Sequence, residues 1–433
     1  MSSDTATDAT ISSTHAGGPL PLGPIDRLAR ALMARHQFDQ LVGGHLVIDD
    51  AERSRGFGDA DADLRARITV KHPRFYRRCL RGGSLGAGAS YIDGDWECDD
   101  LASLFRIVLR SEQSMQKLEG GIARIVSSIA RAGRALRRNT RAGSRRNISD
   151  HYDLGNDFFA LFLDPSMTYS AAVFDPPELD LETAQTAKLD RICRKLDLRP
   201  EHRVLEIGTG WGSFAMHAAR YYGCHVTTTT ISSAQYELAR ERVEAAGLSD
   251  RITLLRDDYR NLEGEYDRVV SIEMIEAVGH EYLDTFFAVC NARLKNHGRM
   301  MLQVITAGDD WYDEYRTTAD FIQRYVFPGG LCPSLGAMTA ALGRASRFRM
   351  AHIEDLTHDY ARTLRIWRHR FLEQVDQVLA LGYPQRFIRL WDYYLQYCEA
   401  GFAERHTSTL QIVLDKPGCQ LQPVRPTFAG EIA

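Results

Sequence analysis

The stretch that decides the fold is VLEIGTGWGSFA, Val204–Ala215, in which an apolar run leads into alternating glycines. These are Gly208, Gly210 and Gly212, and glycine lets a ligand approach backbone atoms closely. A dinucleotide-binding turn has the pattern G-x-G-x-x-G, but Ser213 stands at the third glycine here. The chain also lacks the Gly-Lys-Ser/Thr of a P-loop. The loop therefore predicts a ligand without phosphate groups.

The ligand that fits this loop best is S-adenosylmethionine (SAM). G-x-G-x-G after V-L-E-I is typical of SAM binding in class I methyltransferases, and bulky Trp211 stands where a phosphate would approach. From His151 onward, strand-like segments such as HRVLEIG, CHVTTTT and YDRVVSIE alternate with helical ones. This alternation predicts an α/β fold with a doubly wound, mostly parallel sheet, whose ligands bind at the carboxyl ends of the strands. The alternative is a glycine-rich turn without a ligand.

Composition and pattern divide the 433 residues into five predicted segments. The second segment mixes helical and strand-like pieces and reads as a small α+β domain, and the fourth carries the methyltransferase pattern with a helical insertion. The segments are a disordered tail at 1–24, the small N-terminal domain at 25–112, a basic amphipathic helix with a linker at 113–148, the catalytic domain at 149–418 and a C-terminal tail at 419–433.

The whole-chain composition argues against export and against membrane spanning. The first residues are polar and lack the basic and apolar regions of a signal peptide, and no apolar run reaches the roughly 18 residues that a spanning helix needs. The eight cysteines are scattered without a C-x-x-C or a histidine spaced to complete a zinc site, so no metal is expected and reduced thiols fit a cytoplasmic protein. Contact with lipid would have to be peripheral, at the inner face of the membrane.

One segment is strongly basic although the formal net charge of the chain is −4. Between Lys117 and Arg146, eight arginines from Arg124 onward accompany a single acid, Glu119, and apolar residues recur at helical spacing. This pattern predicts that the segment contacts anionic lipid, where each arginine contributes about 1 kcal/mol. A solvated helix between domains is the alternative. Nucleic acid is not expected because no aromatic residues are interleaved for base stacking. The oligomeric state stays open, with a homodimer as one alternative.

Other polar residues follow the strands of the predicted sheet. The second strand, HVTTTTIS, lacks the acid that usually binds a ribose, but Thr230 and Gln235 carry neutral groups that suit the same hydrogen bonds. After the third strand, Asp258 could accept from an adenine amino group while Tyr259 flanks the ring. Acids at strand ends are also common without a ligand.

Seven motifs in order resemble the cyclopropane fatty acid synthase family: HYDLGNDFFALFLDPSMTYS, LEIGTGWGSFA, TTISSAQ, DDYR, EMIEAVGHEY, YVFPGG and HDYARTLRIWRHRF. The resemblance extends from about His45 to Lys416. It implies that SAM donates a methyl carbon to the cis double bond of an acyl chain in an unsaturated membrane phospholipid, and that a carbocation then closes to a cyclopropane. Carried over by motif, the cofactor contacts would be Tyr152, Tyr169, Ser170, Gly208, Gly210, Thr230, Gln235, Asp258 and Tyr259.

The resemblance also implies a bicarbonate that acts as the base within a small polar cage. Glu276 and Tyr360 match the cage, whereas Ala171 and Gln303 stand where the family often has cysteine and histidine. Gln303 can donate through its amide but cannot carry a proton away. The candidate catalytic residues are therefore Glu276, Tyr360 and Gln303, and methylene or methyl branching from the same cation is an alternative to the cyclopropane.

Each catalytic candidate has a structural alternative. Glu276 could satisfy backbone amides, and Tyr360 could be a core tyrosine. Glu273 would point away from Glu276 if its strand persisted that far, which suggests a structural role. Trp367 and Phe371 are expected in the core rather than along an acyl chain. Two other function classes are a SAM-binding membrane protein without catalysis and a soluble small-molecule methyltransferase, for which the arginine-rich segment would have no evident purpose.

Overall fold

The computed structural model describes residues 18–39, 41–111 and 154–424. The predicted basic helix, Tyr152 and most of the two predicted tails lie outside these residues. The chain packs into two compact units, each assembled from separate stretches. In described residues, the first unit comprises 18–111, Thr318–Val326 and Leu364–His406, and the second comprises 154–317, Phe327–Thr363 and 407–424.

The first unit begins as an α+β structure. Its four-stranded sheet has the order β2-β1-β3-β4, in which β1 and β3 are parallel and the other pairs are antiparallel. Alternation of buried and exposed residues along β3 turns Ala66, Ile68 and Val70 into the core, as expected for a sheet with one solvated face. The elements are α1 (Pro24–Met33), β1 (His45–Asp49), β2 (Ser54–Gly58), β3 (Arg65–Val70), α2 (Arg74–Ile92), β4 (Trp96–Cys98) and α3 (Leu101–Arg110).

The second unit is built on a seven-stranded sheet of order β10-β11-β9-β8-β5-β6-β7. All neighbouring pairs are parallel except those of β11, which runs antiparallel to both β9 and β10. This confirms the predicted doubly wound, mostly parallel sheet. The strands are β5 (Arg203–Ile207), β6 (His225–Thr229), β7 (Ile252–Leu255), β8 (Tyr266–Ile272), β9 (Leu294–Ala307), β10 (Arg349–Asp355) and β11 (Thr407–Asp415).

The centre of this sheet is buried on both faces. Val204 and Leu205 in β5 and Val269 and Val270 in β8 have no exposed surface, which explains why these strands read as continuous apolar runs. Helices cover the two faces, and the connection from β5 enters its helix directly after the glycine loop. The remaining helices are α4 (Asn156–Ala160), α5 (Leu181–Lys195), α6 (Ser213–Tyr222), α7 (Ser233–Ala245), α8 (Leu283–Arg293), α9 (Tyr312–Tyr315), α10 (Phe321–Tyr325), α11 (Leu335–Ala345), α12 (Thr357–Glu373), α13 (Val375–Ala380) and α14 (Gln385–Ala403).

Helices late in the sequence belong to the first unit. Helix α14 packs on α2 and α3, and the Tyr91 hydroxyl donates to Asp392 at 3.0 Å. The compact units thus differ from the predicted contiguous segments, because residues 364–406 fall within the predicted catalytic segment 149–418. Trp367 and Phe371 are fully buried, in agreement with the expectation that they are core residues.

Within the described part of the chain, no helix combines the length and apolar character needed to cross a bilayer. The same residues hold no cluster of three or more His, Cys, Asp or Glu side chains suited to a metal ion. All eight cysteines are described, and all are free thiols.

Candidate active site

The glycine loop lies at the carboxyl end of β5, in the middle of the sheet. Gly208, Gly210 and Gly212 have φ angles of 102°, 53° and 88°, which favour glycine over any other residue. The amides of Gly208 and Thr209 both donate to the carbonyl of Thr229, at 3.1 and 3.0 Å, so β6 holds the loop. A Cβ at Gly210 would meet no atom within 4 Å. The backbone of Gly210 is therefore open to a ligand.

Trp211 does not stand in the approach path where sequence analysis placed it. Its indole is 2% exposed, lies 5.1 Å from the ring of Phe159 and donates to Asn156 Oδ1 at 2.7 Å. Arg242 donates to the Trp211 carbonyl at 2.7 Å. Trp211 therefore anchors the loop to α4 and α7, and the case against a phosphate ligand rests on Ser213 and the missing P-loop pattern.

The structure brings Thr230 and Gln235 together at the end of β6. The Thr230 hydroxyl donates to Gln235 Oε1 at 2.9 Å, and the Ser232 amide donates to the same hydroxyl at 3.2 Å. Ser232 also caps the N-terminus of α7 through the Gln235 amide. These neutral groups sit where the family pattern expects ribose contacts, and that role stays a prediction.

Asp258 and Tyr259 follow β7, and both side chains are largely occupied within the protein. Asp258 pairs with Arg260 through two hydrogen bonds, at 2.8 and 2.6 Å, so an adenine amino group would have to share its oxygens. The Tyr259 ring lies edge-on to Phe286 at 5.7 Å, and burial raises the pKa of its hydroxyl. Tyr259 is thus positioned by the core, as a flanking ring requires.

Tyr169 and Ser170 lie in the segment that precedes α5. The Tyr169 ring contacts Phe159 at 5.2 Å, which places it on the same aromatic cluster as Trp211. The Ser170 hydroxyl accepts from Lys188 Nζ at 2.7 Å. Ser170 is 4% exposed, so its hydroxyl serves the interior in this structure.

The predicted cage donors do converge, but on Glu273 rather than around Glu276. Glu273 Oε1 accepts from the Ala171 amide at 3.0 Å and from Gln303 Nε2 at 2.8 Å. Its Oε2 accepts from the Tyr360 hydroxyl at 2.8 Å. Burial raises the pKa of Glu273, against the lowering effect of these donors and of the Lys188 ammonium. Strand β8 ends at Ile272, so the condition under which Glu273 would point away from Glu276 is not met.

Glu276 lies in the short 3₁₀ helix Ile275–Ala277, and its carboxyl group is only half satisfied. Oε1 accepts from the Ile305 amide at 2.5 Å, whereas Oε2 is buried and has no hydrogen-bond partner among the described residues. Burial, reinforced by the charge of Glu273, raises the pKa of Glu276 to about 8. Burial thus favours the protonated form of Glu276, and its catalytic role stays a prediction.

Two buried titratable residues that sequence analysis missed lie near this cluster. Lys188 is fully buried, and burial lowers its pKa to about 8 against the opposing charges of Glu273, Asp164 and Glu206. Glu206, in β5, accepts from the Thr228 hydroxyl at 2.6 Å, and burial raises its pKa to about 8. Lys188 was detectable, because it interrupts an apolar helical face that includes Ala184 and Ile192 at four-residue spacing.

The raised pKa of Glu276 predicts a pH-dependent stability difference from Glu276→Gln. The pKa of Glu276 is about 8 in the folded protein and 4.5 in the unfolded chain. Its contribution to the free energy of unfolding is therefore fully present below the unfolded pKa and is lost as pH rises toward 8. Relative to the wild type, the variant should gain up to about 1.4 kcal/mol of unfolding free energy per pH unit across this window. Denaturant unfolding at several pH values measures the difference.

A matched control for this measurement is Glu404→Gln. Ion pairs with Arg106 and Arg110 lower the pKa of Glu404, so its stabilising contribution is lost as pH falls, the opposite sign. A flat pH response for Glu276→Gln alongside the expected response for Glu404→Gln would show that Glu276 is ionised in the folded protein.

The sheet order, the open glycine loop and the polar cluster beside it define a class I SAM-dependent methyltransferase. Among solved structures, the chain is similar to the mycolic acid cyclopropane synthase CmaA1 complexed with S-adenosylhomocysteine (SAH) and CTAB, at TM-score 0.59 and 30% identity, covering 63% of this chain and 98% of that one. It is equally similar to the cyclopropane synthase MmaA2 from Mycobacterium tuberculosis, at TM-score 0.59 and 29% identity with the same coverage.

The chain belongs to the mycolic acid cyclopropane synthetase family, whose family model matches residues 139–412. It is 40% identical over 361 residues to the cyclopropane-fatty-acyl-phospholipid synthase of Escherichia coli, covering 83% of this chain and 89% of that protein. It is 37% identical over 374 residues to the tuberculostearic acid methyltransferase UfaA1 of Mycobacterium tuberculosis, covering 84% and 87%. The prediction of a SAM-dependent methyltransferase of the cyclopropane-synthase type is confirmed.

Proposed function

We propose that this protein transfers the methyl carbon of SAM to the cis double bond of an unsaturated acyl chain in a membrane phospholipid and closes it to a cyclopropane. The observation that carries the proposal is a buried, hydrogen-bonded carboxylate, Glu273, next to the glycine loop. The following residue, Met274, has side-chain atoms only 3.0 Å from where a Cβ of Gly208 would lie. A carboxyl group thus lies one residue from a side chain that contacts the glycine loop. The similarity to the Escherichia coli phospholipid synthase over most of both chains supports this substrate class.

The reaction needs a base because an alkene that attacks the sulfonium methyl becomes a cation. The alkene electron pair forms the new carbon–carbon bond as the sulfur–methyl bond breaks, which leaves SAH and a carbocation on the chain. Loss of a proton from the added methyl group then supplies the electrons that close the three-membered ring. The rings of Tyr169 and Tyr360 can stabilise positive charge by about 0.5–2 kcal/mol without being alkylated.

The experiment that tests this function is lipid analysis of cells with and without expression of the gene. Mass spectrometry should show a gain of one CH₂ in unsaturated phospholipid acyl chains, and NMR should show cyclopropane protons. Unchanged phospholipids despite folded protein that binds SAM would contradict the proposed substrate.

A second candidate is methylene or methyl branching from the same carbocation. The similarity to the tuberculostearic acid methyltransferase favours it, and so do Ala171 and Gln303 at positions where the family often has cysteine and histidine. Methylene and cyclopropane products have the same mass, so an olefinic methylene signal in the NMR spectrum would decide for branching.

The proposal extends to a peripheral membrane location in the cytoplasm, with the arginine-rich segment between Lys117 and Arg146 as the contact with anionic lipid. Its support is the sequence pattern of eight arginines against one acid, together with eight free thiols that suit a reducing compartment. Acyl chains of a bilayer can be modified only by an enzyme that reaches the membrane surface.

Binding to anionic vesicles tests this contact. Binding should weaken as salt rises, because screening shortens the reach of exposed charges to about 8 Å at physiological ionic strength. Since each arginine contributes about 1 kcal/mol, binding at low salt should fall by up to about 1,000-fold when four are replaced by glutamine: Arg131, Arg134, Arg137 and Arg138. The control removes the same charge from exposed arginines elsewhere: Arg53, Arg65, Arg220 and Arg347. Equal losses in both variants would assign the effect to net charge rather than to the segment.

A further inference from the structure

The three donors expected around a bicarbonate are already engaged by a protein carboxylate. The Ala171 amide, the Gln303 amide and the Tyr360 hydroxyl donate to Glu273 over 2.8–3.0 Å. Gln303 is fully buried and Tyr360 is 7% exposed, so both donors are held in place by the surrounding protein. A carboxylate and a bicarbonate present the same planar O–C–O edge, and Glu273 places that edge against all three donors.

The backbone of Glu273 is what brings its side chain to this position. Strand β8 ends at Ile272, and Glu273 adopts φ 48°, a left-handed conformation that is unusual for glutamate. Its amide still donates to the Gln303 carbonyl at 2.8 Å. Such a conformation is strained and persists where surrounding contacts determine it. Here the three hydrogen bonds to the carboxylate provide those contacts.

A relay of hydrogen bonds also fixes which way the Gln303 amide faces. Lys195 Nζ donates to Gln411 Oε1 at 2.6 Å, and Gln411 Nε2 donates to Gln303 Oε1 at 2.9 Å. Because an ammonium group can only donate, both glutamines are oriented from that end. The side-chain NH₂ group of Gln303 is thus directed at Glu273, whose carboxylate accepts its hydrogen bond.

The cluster does not fit a bicarbonate as well as this carboxylate. The donors are taken, and a second anion would lie beside Glu273, with the Glu276 carboxyl group also close enough to be affected by its charge. The negative charges of Glu273 and of a bicarbonate beside it would strongly disfavour each other in a buried site. The buried ammonium group of Lys188 already balances the charge of Glu273. The other acidic neighbours of Lys188 include Asp164 and Glu206.

We propose that the Glu273 carboxylate takes the place of bicarbonate and is the base that removes the proton from the methylated acyl chain. This inference rests on the proposed function. In this step a carboxylate oxygen of Glu273 binds the proton, the C–H electron pair of the added methyl group closes the ring, and the carbocation is neutralised. The proton then passes from Glu273 to solvent before the next turnover.

Two variants of the full chain test the proposal in bicarbonate-depleted buffer with SAM and vesicles of unsaturated phospholipid. Glu273→Gly removes the carboxylate and suits φ 48°, so it leaves the three donors facing an empty place. Turnover should fall by about 10²–10⁴-fold, the usual contribution of a positioned base, and added bicarbonate should restore part of it. Glu273→Gln keeps the side chain in that place, so it should lose as much turnover without rescue. Wild-type turnover should not respond to bicarbonate.

Binding measurements separate this proposal from the proposed function. Isotope-labelled bicarbonate should bind to Glu273→Gly and not to the wild type, as detected by NMR, and calorimetry should show unchanged SAM affinity in both variants. Bicarbonate stimulation or binding in the wild type would overturn the assignment, and so would full turnover of Glu273→Gly without bicarbonate. If the wild type left phospholipids unmodified, the proposed function would fail, while the binding comparison would still decide whether Glu273 fills the bicarbonate place.

Discussion

Gly210→Val should reduce SAM affinity by at least about 100-fold, equivalent to about 2.7 kcal/mol. The reason is steric, because a Cβ at this position meets no protein atom within 4 Å and would project into the space that the glycine loop leaves open. Isothermal titration calorimetry with SAM measures the loss directly. A folded variant with wild-type affinity would show that SAM does not approach the loop at Gly210.

The matched control is Gly247→Val, in the same unit. Gly247 follows α7 with φ 65°, close to the 53° of Gly210, and a Cβ there also meets no atom within 4 Å. Both variants therefore carry the same backbone strain from a β-branched residue at positive φ. Similar losses of stability, with SAM binding lost only in Gly210→Val, would assign the effect to the ligand rather than to the backbone.

The sheet was predictable because its central strands are buried on both faces. Short apolar runs such as VLEI and VVSI, which lie between glycine-rich and helical segments, predict strands. The structure has them within β5 and β8. Strand β10, Arg349–Asp355, was not predicted because its sequence RMAHIED is largely polar and mostly exposed at the sheet edge. The grouping of residues 364–406 with the first unit was also missed, since local pattern does not report which distant segments pack together.

The polar cluster was predicted only in part. Glu276 and Tyr360 were expected to hold one anion, with Ala171 and Gln303 in place of a cysteine and a histidine, whereas Ala171, Gln303 and Tyr360 donate to Glu273 in the structure. The anion that these donors bind is decided by a single residue. Glu273 does not continue the strand, because its φ is 48°, and this brings its carboxylate to the donors. Strand periodicity placed its side chain on the other face, and neither composition nor spacing signals where a strand gives way to a left-handed residue.

The second large effect is expected from Lys188→Met, which removes the cation beneath the active-site carboxylates. Lys188 is fully buried, and its charge faces Glu273, Asp164 and Glu206. Removal of one partner from a buried charge cluster typically costs about 3–5 kcal/mol, because the remaining charges lose their compensation. Denaturant unfolding should show a loss of this order at neutral pH. The loss should shrink as pH rises through about 8, because Lys188 itself then gives up its proton and the wild type no longer holds the buried cation.

The same variant should shift the pH dependence of turnover, which a purely structural lysine would not do. Lys188 lowers the pKa of Glu273 through its charge, so loss of the ammonium should raise that pKa. If Glu273 must be ionised to act as the base, the rising limb of the pH–rate profile should move to higher pH in Lys188→Met. Lys295→Met is the control, since Lys295 pairs with Asp267 at 2.7 Å near the start of β8 and β9 and should leave the profile in place. An unshifted limb in folded Lys188→Met would separate this lysine from the proton transfer and leave it a role in stability alone.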